Sequence, residues 1–240
     1  MFNIEAAGLV ICIRNHYDFV KDLCKEYIIP DSRRPDIIVE VTEEELQREA
    51  NKPTISGFVS GYVESIAIYE KISNRLPEFD AFVMHSSVVA VNGKAYCFAA
   101  ESGIGKSTHT RYWKETLGDR VKVINGDKPI YRFKRNQLIA YGTPWNGKED
   151  WGEKISAPLN ALCLLERAEE NAVFPVEPFQ VLNEMIHHFH LTDAGEVDVP
   201  KLIELIDRMV TTVPVYRLKC KNDVSAAKLA VKMLIKEEGE

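Results

Sequence analysis

A glycine-rich loop at residues 100–108 holds the residues of this chain best suited to chemistry. It fits the phosphate-binding pattern G-x-x-x-x-G-K-[ST] everywhere but at the first position, where alanine replaces glycine. Glycines let consecutive backbone N–H groups turn toward a phosphate chain. A lysine then offers charge to the outer phosphates, and a serine offers its hydroxyl to Mg²⁺. The nine residues are Ala100, Glu101, Ser102, Gly103, Ile104, Gly105, Lys106, Ser107 and Thr108.

The elements around the loop must hold it in place. Two β-prone runs, 87–91 and 94–100, are joined by Asn92-Gly93, a strong hairpin signal. The loop is therefore predicted to leave the second arm of an antiparallel hairpin. A helix over 107–117 follows it, and the positive N-terminal end of that helix favours an anion.

An acidic residue comes next in the required order. A short strand is predicted at 121–124, and the turn after it contains Gly126 and Asp127. An acid just past the strand that follows a phosphate-loop helix is placed to make a second magnesium contact. Ser107 and Asp127 are therefore the candidate metal ligands.

His85, the hairpin, the 102–107 loop and Asp127 together resemble the catalytic core of bacterial HPr kinase/phosphorylase. The closer resemblance is to small HPr-kinase-related proteins with the phosphoenolpyruvate-carboxykinase-like P-loop fold. Two further stretches, 105–110 and 141–145, are similar to motifs of these small relatives. The resemblance is specific over about residues 80–170. It implies an α/β fold with a mixed sheet, an antiparallel hairpin before the phosphate loop, and helices packed around this core.

The resemblance also implies use of ATP and Mg²⁺, with nucleotide contacts along 101–108 and catalytic roles for Lys106, Asp127 and His85. Such enzymes carry two adjacent aspartates, of which the first accepts a proton, but here Gly126 stands in its place. A general base that accepts this proton typically raises the reaction rate about 10²–10⁴-fold. Two alternatives follow: another residue such as His85 or Asp150 takes the proton, or the chain is a nucleotide-binding regulator or scaffold with weak or no catalysis.

For a kinase, the γ-phosphate would pass to a hydroxyl on a protein or peptide serine, or on a small molecule. Composition is compatible with this. Hydrophobic residues make up 45% of the chain and charged residues 28%, and the net charge of −6 disfavours nucleic-acid and anionic membrane partners. The five cysteines form no C-x-x-C pair, and the apolar run 6–13 is too short to span a bilayer, so a reduced, cytoplasmic setting is expected. A homo-oligomer stays open.

The 240 residues are predicted to form one kinase-like domain in three parts. Residues 1–80 are an N-terminal elaboration, 81–170 the nucleotide-binding core, and 171–240 a helical and strand closure. In the first part, Thr42 and Glu45 form a capping box before a short helix.

Three further features of the sequence are candidate sites. The loop 142–152, rich in Gly, Trp and charge, suits a substrate-side lid and equally suits a loop whose tryptophans pack inward. Arg167 ends a strand and is expected to be an ion-pair partner more often than a phosphate ligand. The histidines at 187, 188 and 190 lack the i, i+4 spacing of helical metal pairs, so a structural role is expected for them.

Overall fold

The computed structural model describes residues 1–30, 33–53, 55, 57–101, 103–189 and 197–235. Ser102 and His190 lie outside the described residues. Within those ranges the chain forms thirteen strands and seven α-helices. The strands are β1 (Phe2–Ala6), β2 (Leu9–Arg14), β3 (Ile28–Ile29), β4 (Ile37–Glu40), β5 (Ala81–Val83), β6 (Ser86–Val91), β7 (Lys94–Ala99), β8 (Lys122–Asn125), β9 (Ile130–Lys134), β10 (Gln137–Tyr141), β11 (Ser156–Arg167), β12 (Ala172–Pro175) and β13 (Val215–Cys220). The helices are α1 (Asp18–Leu23), α2 (Glu43–Ala50), α3 (Ser60–Arg75), α4 (Lys106–Leu117), α5 (Pro178–Ile186), α6 (Val199–Thr212) and α7 (Val224–Leu234).

The hairpin before the glycine-rich loop is confirmed. β6 and β7 pair antiparallel, with Val91 opposite Lys94. Asn92 and Gly93 both take positive φ, 51° and 73°, as the tight turns of two-residue hairpins require. On its other edge β7 pairs parallel with β11, so the sheet is mixed.

The order of strands decides what lies on each side of the glycine-rich loop. The nine-stranded sheet runs β5-β9-β10-β11-β7-β6-β8, and β13 joins it beside β11, with β12 outside β13. β6 and β8 therefore lie on one side of β7, while β11 and β13 lie on the other. The turn with the acid at the end of β8 belongs to the first side. The end of β11 belongs to the second.

The N-terminal residues form a second sheet, in the order β3-β1-β2-β4, covered by α1 to α3. The predicted capping box is present, since Thr42 accepts from the backbone N–H of Glu45 and Glu45 accepts from that of Thr42. One apolar cluster joins this sheet to the larger one, because it includes Ile4 as well as Ile130 and Trp145. The three-part division of the chain stays a prediction.

Across the described ranges, no helix combines the length and the apolar character needed to cross a bilayer.

Candidate functional site

One cavity of about 770 Å³ collects most of the residues singled out by sequence. Its wall is formed by the glycine-rich loop with the start of α4, His85 between β5 and β6, the turn 126–128, the loop 144–150, α1, and α3 with Phe58 before it. Its lining includes Phe19, Phe58, Tyr62, His85, Gly105, Lys106, Ser107, Thr108, Gly126, Asp127, Lys128 and Asp150.

The glycine-rich loop depends on its glycines at two positions. Gly103 and Gly105 have φ of 82° and 121°, values that side chains rarely tolerate. Ala100, which departs from the pattern, is buried and keeps an ordinary negative φ, so glycine is not required there. α4 begins at Lys106, so its free N–H groups lie at the cavity.

Lys106 is held within its own loop. Its Nζ donates to the carbonyl oxygen of Ala100 at 2.9 Å. Burial lowers the pKa of Lys106, and the nearby Asp127 partly opposes that shift. Burial disfavours the charged ammonium group of Lys106, and an anion bound in the cavity would favour that charged form again.

His85 and Asp127 form the titratable pair of the cavity. His85 Nε2 lies 2.7 Å from Asp127 Oδ1, and the two side chains are 46% and 26% exposed, so a substrate can reach both. Burial would raise the pKa of Asp127, but the hydrogen bond and charge of His85, with the charges of Lys128 and Lys106, lower it overall. Asp127 is therefore an ionised acceptor near neutral pH.

Backbone bonds fix this pair in place. The His85 N–H donates to the carbonyl of His188 at 2.7 Å, and the Ser86 N–H donates to the carbonyl of Asp127 at 3.1 Å. His188 is buried, and burial lowers its pKa. It thus supports His85 through its backbone, in keeping with a structural role.

Asn125, which sequence reasoning passed over, organises the turn that carries the acid. This fully buried side chain accepts from the N–H groups of Asp127 and Lys128 at 2.8 and 2.7 Å. Its amide donates to Thr143 Oγ1 and Asn146 Oδ1, both at 3.0 Å. One side chain therefore joins the acidic turn to the loop 142–152, and only its place directly before Gly126-Asp127 could have signalled this.

Gly126 is closely covered by that same loop. A Cβ built on it would lie 3.1 Å from the carbonyl oxygens of both Asn146 and Trp151. Gly147 is equally close to the acid, because its Cβ would lie 2.8 Å from Asp127 Cβ. Position 126, where the resemblance would expect an aspartate, is thus one where the carbonyl oxygens of another loop lie close to the backbone.

Lys128 is a second cation at the cavity that sequence reasoning did not select. Its Nζ lies 4.6 Å from the ring centroid of Tyr69, a cation–π distance. Burial lowers its pKa, against the opposing charge of Asp127. Its position directly after Asp127 was the available signal.

The remaining candidates are placed less centrally. Asp150 is exposed at the cavity mouth, 3.4 Å from Asn146 Nδ2, and no contact joins it to His85 or Asp127 among the described interactions. Arg167 donates to the carbonyl oxygen of Gly103 at 2.6 Å, so it braces the loop from the β11 side. His109 is buried in the core and accepts from Trp113 Nε1 at 3.0 Å.

In the loop 142–152, Trp145 packs inward and the neighbouring residues line the cavity. The Trp145 ring is buried 5.4 Å from that of Tyr69, and its Nε1 donates to the carbonyl of Ser65 at 3.0 Å.

Within the described part of the chain, no group of three or more His, Cys, Asp or Glu side chains is arranged to hold a metal by itself.

No protein-family model matches the sequence, and no curated protein matches it. Among solved structures, the chain is similar to the Hpr(Ser) kinase/phosphatase from Coxiella burnetii, at 10% identity and a TM-score of 0.37. The match covers 63% of this chain and 92% of that one. The likeness is a distant structural one.

Proposed function

We propose that this protein binds ATP with Mg²⁺ on residues 101–108 and transfers the γ-phosphate to a hydroxyl group. The observation that carries the proposal is that Lys106, Ser107 and the His85–Asp127 pair line one cavity. Phosphoryl transfer depends mainly on positioning and charge stabilisation, and these residue types provide both.

The donor chemistry fits magnesium. Mg²⁺ prefers oxygen ligands and usually keeps water and substrate phosphates among them. The Ser107 hydroxyl and the ionised Asp127 carboxylate both offer oxygen atoms as metal ligands. The bond to His85 uses Asp127 Oδ1, so Asp127 Oδ2 is the oxygen that would contact the ion. When bound, the ion would neutralise charge on the phosphates.

The pair also offers a route for the acceptor's proton despite Gly126. Because an ionised carboxylate only accepts hydrogen bonds, His85 Nε2 carries the proton in its bond to Asp127. In a neutral imidazole the other nitrogen, Nδ1, is then free to accept. A histidine oriented by a carboxylate is a common general base. His85 would thus take the hydroxyl proton while Asp127 orients the ring.

The second candidate is a nucleotide-binding regulator with weak transfer. Gly126 favours it, because the first aspartate of the resembled enzymes is absent. Both candidates use the same cavity and differ only in turnover.

The test is incubation with Mg²⁺ and γ-labelled ATP in the presence of cell extract. Wild type is expected to label an acceptor, and Asp127→Asn to lose the labelling by about 10²-fold or more. Asp119→Asn, at an exposed acid beyond α4, is the matched control and should label like wild type. Mg·ATP binding without labelling above the Asp127→Asn level would favour the regulator.

A further inference from the structure

Aromatic side chains from the N-terminal elaboration form the far wall of the cavity. Phe19, Phe58 and Tyr62 all line it, and the Tyr62 ring lies 4.8 Å from that of Phe58 and 6.3 Å from that of Phe19. Phe58 is 55% exposed and Phe19 is 40% exposed. We call these three residues the aromatic wall.

The aromatic wall is held in a fixed position. The fully buried Glu64 of α3 accepts from the backbone N–H groups of His16 and Tyr17, at 2.6 and 3.0 Å, just before α1. A Cβ on Gly61 would lie 2.6 Å from Phe19 Cβ, so glycine allows α1 to approach α3 closely. A buried carboxylate and a close helix contact thus present Phe19 to the cavity.

Strand order indicates which ligand meets this wall. In the proposed function the γ-phosphate must point toward Asp127, on the β6–β8 side of the loop. The nucleoside then extends to the other side, toward β11 and β13. A smaller cleft lies there, lined by Tyr112, Arg167 and Asn222, and it shares Gly105 and Thr108 with the main cavity.

The aromatic wall therefore lies beyond the γ-phosphate, where the acceptor must bind. Its apolar surface also continues past the cavity, because Val59 and Tyr17 are 68% and 40% exposed and are not among the lining residues. Contiguous exposed apolar surface of this kind marks interaction sites. A surface extending past the cavity rim suits a chain segment more than a compact metabolite.

We infer that the aromatic wall binds the acceptor, a peptide segment that presents a serine or threonine hydroxyl to His85 and a neighbouring aromatic or large aliphatic side chain to Phe58 and Phe19. The inference rests on the proposed function, since it uses the direction of the γ-phosphate. In the transfer the hydroxyl oxygen bonds to the γ-phosphorus, the bond from that phosphorus to the β,γ-bridging oxygen breaks, ADP leaves with that oxygen, and the hydroxyl proton passes to His85.

The test overlays labelled protein on an immobilised positional-scanning library of serine- and threonine-centred peptides, without nucleotide. Wild type is expected to be retained best where an aromatic or large aliphatic residue flanks the hydroxyl. Phe58→Ala should lower that retention about tenfold or more, as truncation of an aromatic anchor does. Phe58→Tyr should keep it, and Phe179→Ala, which removes a 74% exposed ring outside the cavity lining, should match wild type.

Nucleotide binding is followed separately, as the rise in Tm with Mg·ATP. Retention that does not depend on flanking side chains or on Phe58 would overturn the inference. Loss of the Mg·ATP effect in Phe58→Ala would overturn it too, by placing the nucleobase on the wall, and so would a wild-type dimer that Phe58→Ala makes monomeric. Side-chain-dependent retention with no Mg·ATP effect in wild type would instead refute the nucleotide site and leave peptide binding supported.

Discussion

Gly126 allows the close packing of the loop 142–152 to be tested directly. The simplest expectation from sequence is that Gly126→Asp restores a missing base and raises turnover. The structure predicts the opposite. The first carbon of any side chain would lie 3.1 Å from two backbone carbonyl oxygens, those of Asn146 and Trp151. Both oxygens belong to the loop that Asn125 ties to the acidic turn, so relief of the contact would displace that turn.

The magnitude follows from the cost of overpacking a fixed site. Inserting one carbon there is expected to cost about 1–3 kcal/mol of unfolding free energy. For a chain of this length that corresponds to a fall in Tm of roughly 2–12 °C. Aspartate also places a carboxylate, which only accepts hydrogen bonds, near the carbonyl oxygens of Asn146 and Trp151. If this carboxylate finds no hydrogen-bond donor, the unfolding free energy falls by about 1–3 kcal/mol more.

The assay compares Gly126→Ala and Gly126→Asp with wild type by calorimetric unfolding and by label transfer from γ-labelled ATP. Alanine tests the added carbon alone, and aspartate adds the charge. Both should lower Tm, aspartate more than alanine, and neither should raise turnover. A Gly126→Asp protein with an unchanged Tm and faster transfer would refute the packing argument and would support the missing-base account.

Three further outcomes follow from polar side chains of the site and of the core. Asn125→Ala leaves the N–H groups of Asp127 and Lys128 unpaired and should lower the free energy of unfolding in urea by about 3–5 kcal/mol. The pKa of Asp127 is lower in the folded state than in the unfolded state, so the ionised carboxylate stabilises the folded protein fully above the ordinary carboxyl pKa. This stabilisation is lost as pH falls through the folded-state pKa. Below about pH 4 the Tm of wild type should therefore fall more steeply than that of Asp127→Asn. Burial lowers the pKa of His109 to about 4, so the unfolded chain takes up the proton first as pH falls from about 6.5. Wild type should then lose about 3 kcal/mol more unfolding free energy than His109→Gln between those pH values.

The elements that sequence predicted well are those with local signals. The Asn92-Gly93 turn, the Thr42 capping box and the helix over 107–117 each depend on a few neighbouring residues, and each is present. The short strands β5 and β12 were not predicted, because they gain their hydrogen bonds from partners far along the chain, β9 and β13. A strand was expected before Arg167, and β11 begins as early as Ser156 because β10, β7 and β13 pair along different parts of it.

The same distinction holds at the cavity. The glycine-rich loop follows a pattern in consecutive residues, and the structure places Gly103 and residues 105–108 in the same cavity as His85 and Asp127. Glu101 and Ile104, also expected to contact the nucleotide, are not among the lining residues of that cavity, and Ile104 lines the smaller cleft instead. Asn125 and Lys128 were missed because their roles depend on contacts with Thr143, Asn146 and Tyr69, which come from distant parts of the chain. No periodicity in the sequence reports such contacts.

The central claim is that residues 101–108 bind the phosphates of ATP, and a titration of thermal stability tests it most directly. With Mg·ATP at one hundred times its Kd, wild type should gain about 2.7 kcal/mol, or roughly 5–11 °C in Tm. Lys106→Ala should lose most of that gain, while Lys94→Ala, at an exposed lysine starting β7, should keep it. Equal gains in wild type and Lys106→Ala, or no gain in either, would contradict nucleotide binding at this loop.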